Sequence, residues 1–440
     1  MASEGEQVNA APAMAPASGR KHKPQLPVWL VPLLYAVAAL AAGLTIPRLE
    51  GRFWPELVSP MSPSAATAIY SAIASGMIAL TGIVFSLSFV MVQFSATAYS
   101  PRLVLLLARD PVMVHALGVF VATFLYAVGA LSGVDRGGSG TVPIVSVWIV
   151  VALLLASVGM FVALIQRIGL LQIHRTLVFT GDQGRKVIAA LYPPQGSPGA
   201  TSAPQAFRSG SPTQTLIHRG SPRSIQSLDI DGLVSLARQT GGTIEMLAAV
   251  GDTVVELTPL LRVWGSKAAI DEKKLSDRIK LGAERTFEQD PKYAIRLLVD
   301  IAIRALSPAV NDPTTAVQAL DQIGDLLMRL GLRRLEAGEF RGGDGEVRLA
   351  VPFPAWEDFL LLAFDEIRFY GATSVQVMRR MTALLSDLIA VLPAERHAAL
   401  KHWQDRLAST VARSFVDAEE KQQAAVEDRQ GLGVPRRYPG

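Results

Sequence analysis

Four apolar runs free of any charged residue, at 26–46, 68–94, 112–133 and 142–164, crowd the first 165 positions of this 440-residue chain. Each reaches the ~20 residues that an α-helix needs to cross a ~30 Å hydrocarbon core. A soluble helix must turn one face to water and so rarely stays uncharged for that length. The remaining residues, 166–440, are polar and soluble in character. This asymmetry predicts an α-helical membrane domain of four transmembrane helices followed by a cytosolic α+β domain. The lipid bilayer is then the first partner, and the setting is a multi-pass protein of the inner (plasma) membrane.

The sides follow from Lys and Arg near the span ends. Arg20, Lys21, Lys23, Arg102, Arg109, Arg167, Arg175, Arg185 and Lys186 fall on one side, and Arg48, Arg52 and Arg136 on the other. Nine against three predicts both termini in the cytoplasm. The tail 1–25 is rich in Ala, Pro, Ser and Gly and is expected to be disordered. Its basic cluster precedes a run too long for a signal peptide. With no cysteine, disulfides, thiolate metal sites and a Cys nucleophile are excluded. The net charge of +4 is spread among acids, which argues against nucleic acid as a partner.

The second run is the unusual one, with no charge between Glu56 and Arg102. A helix from Ser64 to Ala98 would be ~50 Å long at 1.5 Å per residue. It must tilt or project beyond the bilayer. Ser71, Ser75, Gly82, Ser86 and Gln93 recur at close to helical spacing and form one small, polar face. Two readings stand: a helix–helix contact of small residues, or the lining of a path. Gly118, Ala122, Gly129 and Gly133 form a similar face on the third run, which favours packing between these two helices. Ser100, Pro101 and Arg102 open a Leu-rich segment to Asp110, either an interfacial helix or an ordinary inner loop. His115 is expected to be a polar interface residue.

Beyond the spans, 166–192 is expected to connect as a helix and 193–213, rich in Pro, Gly and Ser, as a linker. Five short β-like runs between 215 and 264, with a helix at 231–239, predict a small β-module over 214–265. Part of it resembles half of a biotinyl/lipoyl-type hairpin, without the Met-Lys-Met tip of a carrier. The region 266–423 is expected to be a helical bundle: 271–285, 292–306, 313–330, a hairpin at 335–350, 356–370, 375–392 and 395–423. The last has alternating charge signs that suit a coiled arm. The residues 424–440 are expected to be a disordered tail.

Charge concentrates in an apolar context at 284–316. Arg296, Asp300 and Arg304 share a face of the 292–306 helix, and a buried carboxylate needs such partners. Asp312 before Pro313 has the chemistry of an N-cap, and Asn311 tolerates a left-handed backbone. The cluster Arg285, Asp290, Arg296, Asp300, Arg304, Asn311 and Asp312 is either a structural clamp or a ligand or coupling site.

The same segments carry a resemblance. Gln93-Phe94-Ser95 with Ser100-Pro101-Arg102, Arg285-Thr286 with Gln289-Asp290-Pro291, and Asp300 to Ala316 (containing Ala-Leu-Ser-Pro-Ala-x-Asn-Asp-Pro-x-Thr-Ala) resemble the signature of a bacterial family of integral membrane proteins named only as a domain of unknown function. The likeness covers roughly 26–420. It implies four spans and a cytosolic domain, and no assigned activity. One departure is Glu256-Leu257-Thr258, where the family pattern leads one to expect a Gly-containing turn.

The six histidines form no i, i+3 or i, i+4 pair, and no P-loop, G-x-G-x-x-G, H-E-x-x-H or G-x-S-x-G occurs. No cofactor is implied, and no nucleophile, base and orienter come together, so an enzyme is not expected. No Asp, Glu, Lys or Arg lies within a predicted span, which weakens coupled transport. Two functions remain: a passive channel or permeation-related homo-oligomer, or a membrane-anchored sensor or scaffold binding an unknown small-molecule ligand or partner.

Overall fold

The computed structural model describes residues 29–54, 56, 59–98, 111–135, 142–169, 173–195, 208, 210–335 and 338–433. The segment 100–110, both outermost tails and most of the 193–213 stretch lie outside them. The chain divides into two units, one of membrane helices up to 172 and one from 173 onward.

The first unit holds α1 (Leu30–Phe53), α2 (Pro63–Ala98), α3 (Pro111–Leu131) and α4 (Ile144–Gly169). All four are long and apolar enough to cross a membrane. Helix α2 runs 36 residues, about 54 Å, so the long helix expected from sequence forms. Helix α3 is central. A β-carbon on Gly43 of α1 would stand 2.7 Å from the Tyr126 carbonyl of α3, and one on Gly129 would stand 3.1 Å from Gly43 Cα. Gly133 makes room for Pro47, and Gly118 for the Tyr35 ring. The glycines of the α3 face therefore pack on α1; α2 packs on α3 as the sequence suggested, but not through this face. Helix α2 meets the bundle through Tyr70, Ala74, Met77 and Val84 instead. Thr123 of α3 and Ser157 of α4 share a buried hydroxyl contact of 2.8 Å. Each hydroxyl oxygen also lies 2.8 Å from a carbonyl oxygen of its own helix, so one hydroxyl donates across the contact and the other to its own carbonyl.

Helix α1 ends seven residues later than the apolar run. Pro47 stays inside it, because the missing side chain of Gly133 accommodates the ring. Arg48, Glu50 and Arg52 thereby become helical, and Glu50 is buried.

The second unit opens with α5 (Ile173–Leu191). It is followed by β1 (Gln214–Ile217), β2 (Arg223–Leu228), α6 (Ile230–Thr240), β3 (Thr243–Met246), β4 (Thr253–Val254) and β5 (Pro259–Trp264). Where one helix over 271–285 was expected, a five-residue α7 (Glu272–Ser276) is followed by strand β6 (Ile279–Gly282). Helices α8 (Pro291–Ala305) and α9 (Pro313–Gly331), strands β7 (Glu339–Arg341) and β8 (Val347–Ala350), and helices α10 (Trp356–Tyr370) and α11 (Val375–Val391) come next. Five strands form a sheet in the order β1-β5-β3-β8-β7, and three form another, β4-β2-β6. The two share a core of Leu216, Ile225, Ile244, Val254, Leu261, Ile279 and Leu349. The β-module thus exceeds 214–265: it draws β6 from the supposed first helix of the bundle, and β8 enters by parallel pairing with β3.

The helical layer follows from local signals. Asp290 and Asp312 cap α8 and α9 with a proline at the first turn, and Ser374 caps α11. Helix α8 buries Tyr293, Ala294, Leu297, Leu298, Ile301 and Ala302. Helix α5 docks on it, with Gly184 against Ala294 and Leu326, and with Arg185 2.7 Å from Asp325 of α9.

The expected long terminal arm is broken. A 3-10 turn (Ala394–Arg396), α12 (His397–Ser414) and α13 (Ala418–Ala425) fold back beside α11. The segment 426–433 is not a free tail. Asp428 is buried and accepts from the amides of Gln430, Gly431 and Gly433, and Gln376 of α11 donates to the Gly431 carbonyl at 2.6 Å. At the former linker, Pro194 bridges to Arg333.

Candidate functional site

The charged signature distributes itself along α8 in three groups. At the N-terminus, Asp290 accepts the Tyr293 amide at 3.2 Å through Oδ1. Its Oδ2 lies 3.2 Å from Arg285 Nε. The carboxylate is 2% exposed. Neither Oδ2 nor Arg285 Nε meets hydrogen-bond geometry with any described residue, and the buried Tyr192 hydroxyl is likewise without one. Gly251, at φ +90°, closes over the pair: a β-carbon there would collide with both Asp290 and Arg285. Burial pushes the Asp290 carboxyl above its ordinary range, against the opposing pull of Arg285 and Lys292. Burial also raises the Tyr192 hydroxyl, and the charge of Asp290 adds to it.

In the middle of α8, Arg296 reaches Asp300 at 2.6 Å on its own helix and grips Glu366 of α10 with both terminal nitrogens, at 2.8 and 2.7 Å. This forked pair ties two helices together. The Arg296 hydrogen bonds hold Glu366 below the usual carboxylate range. At the C-terminus, the Ser307 hydroxyl donates to the Arg304 carbonyl at 2.7 Å. Asn311 adopts φ +47°. Asp312 takes the Thr315 amide at 3.1 Å and its hydroxyl at 2.5 Å, so the carboxylate occupies the amides an anion would need. The fifteen residues of α8 put about 22 Å between its ends. Asp290 and Asp312 therefore do not share a site.

In the membrane unit, Ser71, Ser75, Gly82 and Ser86 are exposed, on the side of α2 turned away from its neighbours. Nothing stands within 4 Å of a β-carbon placed on Gly82. The Gln93 side chain lies outside the described residues. His115 sits 3.3 Å from the Tyr35 hydroxyl, an α1–α3 contact.

Sequence reasoning missed Tyr192, Gly251 and Glu366, which reach the α8 residues from across the fold. It also missed Glu50, which the apolar-run boundary at 46 left outside the span. The signal for Glu50 was present: it is the one acid between the first two runs that sits a helical turn from Pro47 and Ile46. Among the described residues no group of three or more His, Cys, Asp or Glu is placed to hold a metal.

Fold and residues together define a membrane protein with four apolar helices and a C-terminal α+β unit. The chain belongs to the family described as "Predicted membrane protein (DUF2254)", whose model matches residues 26–387. It is similar to uncharacterized proteins of Mycobacterium bovis and Mycobacterium tuberculosis, each 28% identical over 373 residues, 82% of this chain and 71% of theirs. No solved structure matches.

Proposed function

We propose that the protein is a passive permeation protein of the plasma membrane, assembled from several copies, with the exposed face of α2 turned to the path between them. One observation carries this reading: Ser71, Ser75, Gly82 and Ser86 are exposed and take no part in packing their own bundle. Lipid gives hydroxyls no partner, so such a face gains by meeting another copy or water. The bundle itself is closed along α1–α3 by glycine-mediated backbone contact, which leaves the path to the assembly. The excess of basic residues near one set of span ends supports both termini in the cytoplasm. No catalytic step is assigned.

The test is ion flux from liposomes holding the purified protein, with Gly82→Leu and Ser86→Leu variants compared by native mass for assembly. Lost flux in variants that keep the wild-type oligomer supports the path. Wild-type protein that passes neither salt nor water under an osmotic step sinks it.

A second reading, an anchored sensor, rests on the buried ion pair of Asp290 with Arg285 and on the Tyr192 hydroxyl near it. Arg285 Nε, Asp290 Oδ2 and the Tyr192 hydroxyl are buried with unused hydrogen-bonding capacity. Under this reading Arg285→Ala removes binding of a small polar ligand while the fold persists, read by thermal shift against a metabolite panel.

A further inference from the structure

The end of the membrane bundle where α1 finishes and α4 begins gathers one polar side chain from each helix. Glu50 comes from α1, Tyr70 from α2, Tyr126 from α3 and Ser146 from α4. They are 3%, 1%, 1% and 1% exposed, in that order. Glu50 is the sole acid in the sequences of the four helices. Its carboxylate accepts from the Val145 amide at 2.8 Å, from the Ser146 amide at 3.3 Å and from the Ser146 hydroxyl at 3.5 Å.

That arrangement caps α4, and the helix terminus offsets about half of the charge. Among the described residues no Lys or Arg pairs with Glu50, so the rest is uncompensated. The Tyr70 and Tyr126 hydroxyl oxygens are sealed from solvent and find no hydrogen-bond partner among the described residues. Both lie within electrostatic reach of Glu50, and the Tyr126 hydroxyl faces Ser146 without meeting hydrogen-bond geometry. Two buried hydroxyls without a hydrogen-bond partner are unfavourable. A carboxylate offers about four lone-pair directions, and three donors leave it able to accept more.

We propose that this cluster binds one dehydrated monovalent cation of sodium size through the Glu50 carboxylate and the hydroxyl oxygens of Tyr70, Tyr126 and Ser146. Hard oxygen donors suit a hard cation. A carboxylate half offset by the helix terminus balances at most one unit of charge, whereas a divalent ion would leave a larger net positive charge among apolar helices. Each hydroxyl can turn a lone pair inward, which satisfies the two oxygens that the protein leaves alone. An ion held in this way ties all four helices together at one end. The proposal is independent of the permeation reading, because it concerns the inside of one bundle.

The experiment is thermal unfolding of the full-length protein in nanodiscs, in sodium, lithium, potassium or choline chloride at equal ionic strength. Wild type, Glu50→Gln and Tyr70→Phe are compared. The expected result is a saturable rise of the wild-type midpoint with sodium over choline, lost in Glu50→Gln and weakened several-fold in apparent affinity in Tyr70→Phe. The Gln side chain keeps an acceptor for the α4 amides, and the Phe side chain keeps the packing, so both variants are expected to fold. If Glu50→Gln fails to fold, Tyr70→Phe decides alone. Removing a merely structural orphan hydroxyl leaves any sodium response unchanged, and that outcome overturns the site. Equal wild-type midpoints in all four salts, or a midpoint that follows pH in choline and ignores sodium, overturn it as well.

Discussion

Asp290 shows how one side chain can be legible in part. Its role as cap followed by Pro291 is written locally, since an acid before proline supplies an acceptor where the first amides are free. Its neighbours are not local: Gly251 comes from the β3–β4 turn and Tyr192 from the end of α5. The raised Asp290 carboxyl has a consequence with a definite sign. The folded state holds that proton to higher pH than the unfolded chain does. The contribution is therefore full below the unfolded value and lost as pH climbs through the folded one. Asp290→Asn keeps the capping acceptor and does not titrate. Urea unfolding of the variant is expected to gain on the wild type as pH rises out of the acid range. A constant offset from acid to neutral pH would mean that Asp290 has the same affinity for its proton in both states.

Leu257 is the residue-scale counterpart in a turn. The missing glycine noted in the sequence leaves Leu257 at φ +66° and 62% exposed. A left-handed backbone costs an L-residue about 1–2 kcal/mol, part of which glycine returns as chain entropy. Leu257→Gly is expected to stabilise the β-module by up to about 1 kcal/mol in denaturant unfolding.

At the scale of elements, long periodic segments were readable and short ones were not. The spans and α8–α11 carry enough turns for their apolar pattern to decide. The run Ile279–Gly282 has four residues, too few for period to separate strand from helix, and its assignment comes from pairing with β2. The parallel pairing of β3 with β8 joins residues about a hundred positions apart, which no local pattern records. The small-residue face of α3 gave the right kind of contact and the wrong partner, and that of α2 makes no contact within its own bundle. Spacing shows that a face exists, while the partner is chosen by complementary gaps such as Gly43 opposite Gly129.

The contrast between glycines gives a prediction. Gly129→Leu drives a side chain into the α1 backbone and is expected to cost about 1–3 kcal/mol or more, seen as loss of monodisperse protein after detergent extraction. Gly82→Leu meets open space and is expected to extract like wild type. Equal losses at both positions would place the α2 face in an essential contact, and equal tolerance would loosen the α1–α3 seam.

For the whole molecule, the division into two units was visible in the composition, because charge is absent from the spans and frequent after them. Which side each unit faces is testable directly. The chain has no cysteine, so a single introduced thiol reports one position without background. Thiols at exposed Leu361 of α10 and exposed Leu257 are expected to resist a membrane-impermeant reagent in intact cells and to react after lysis. A thiol at exposed Trp54 is expected to react from outside. The reverse pattern would invert the topology drawn from the basic residues.

Helix α2 carries a last consequence. Its 36 residues span about 54 Å, nearly twice the ~30 Å hydrocarbon layer. The fraction of it that lipid covers is therefore set by bilayer thickness, not by the sequence alone. In thin membranes more of its far end stands in water, and in thick ones lipid covers more of that length. Short-chain and long-chain lipids are thus different chemical environments for the same helix, and the composition of the surrounding membrane becomes one of the variables that set the state of the protein.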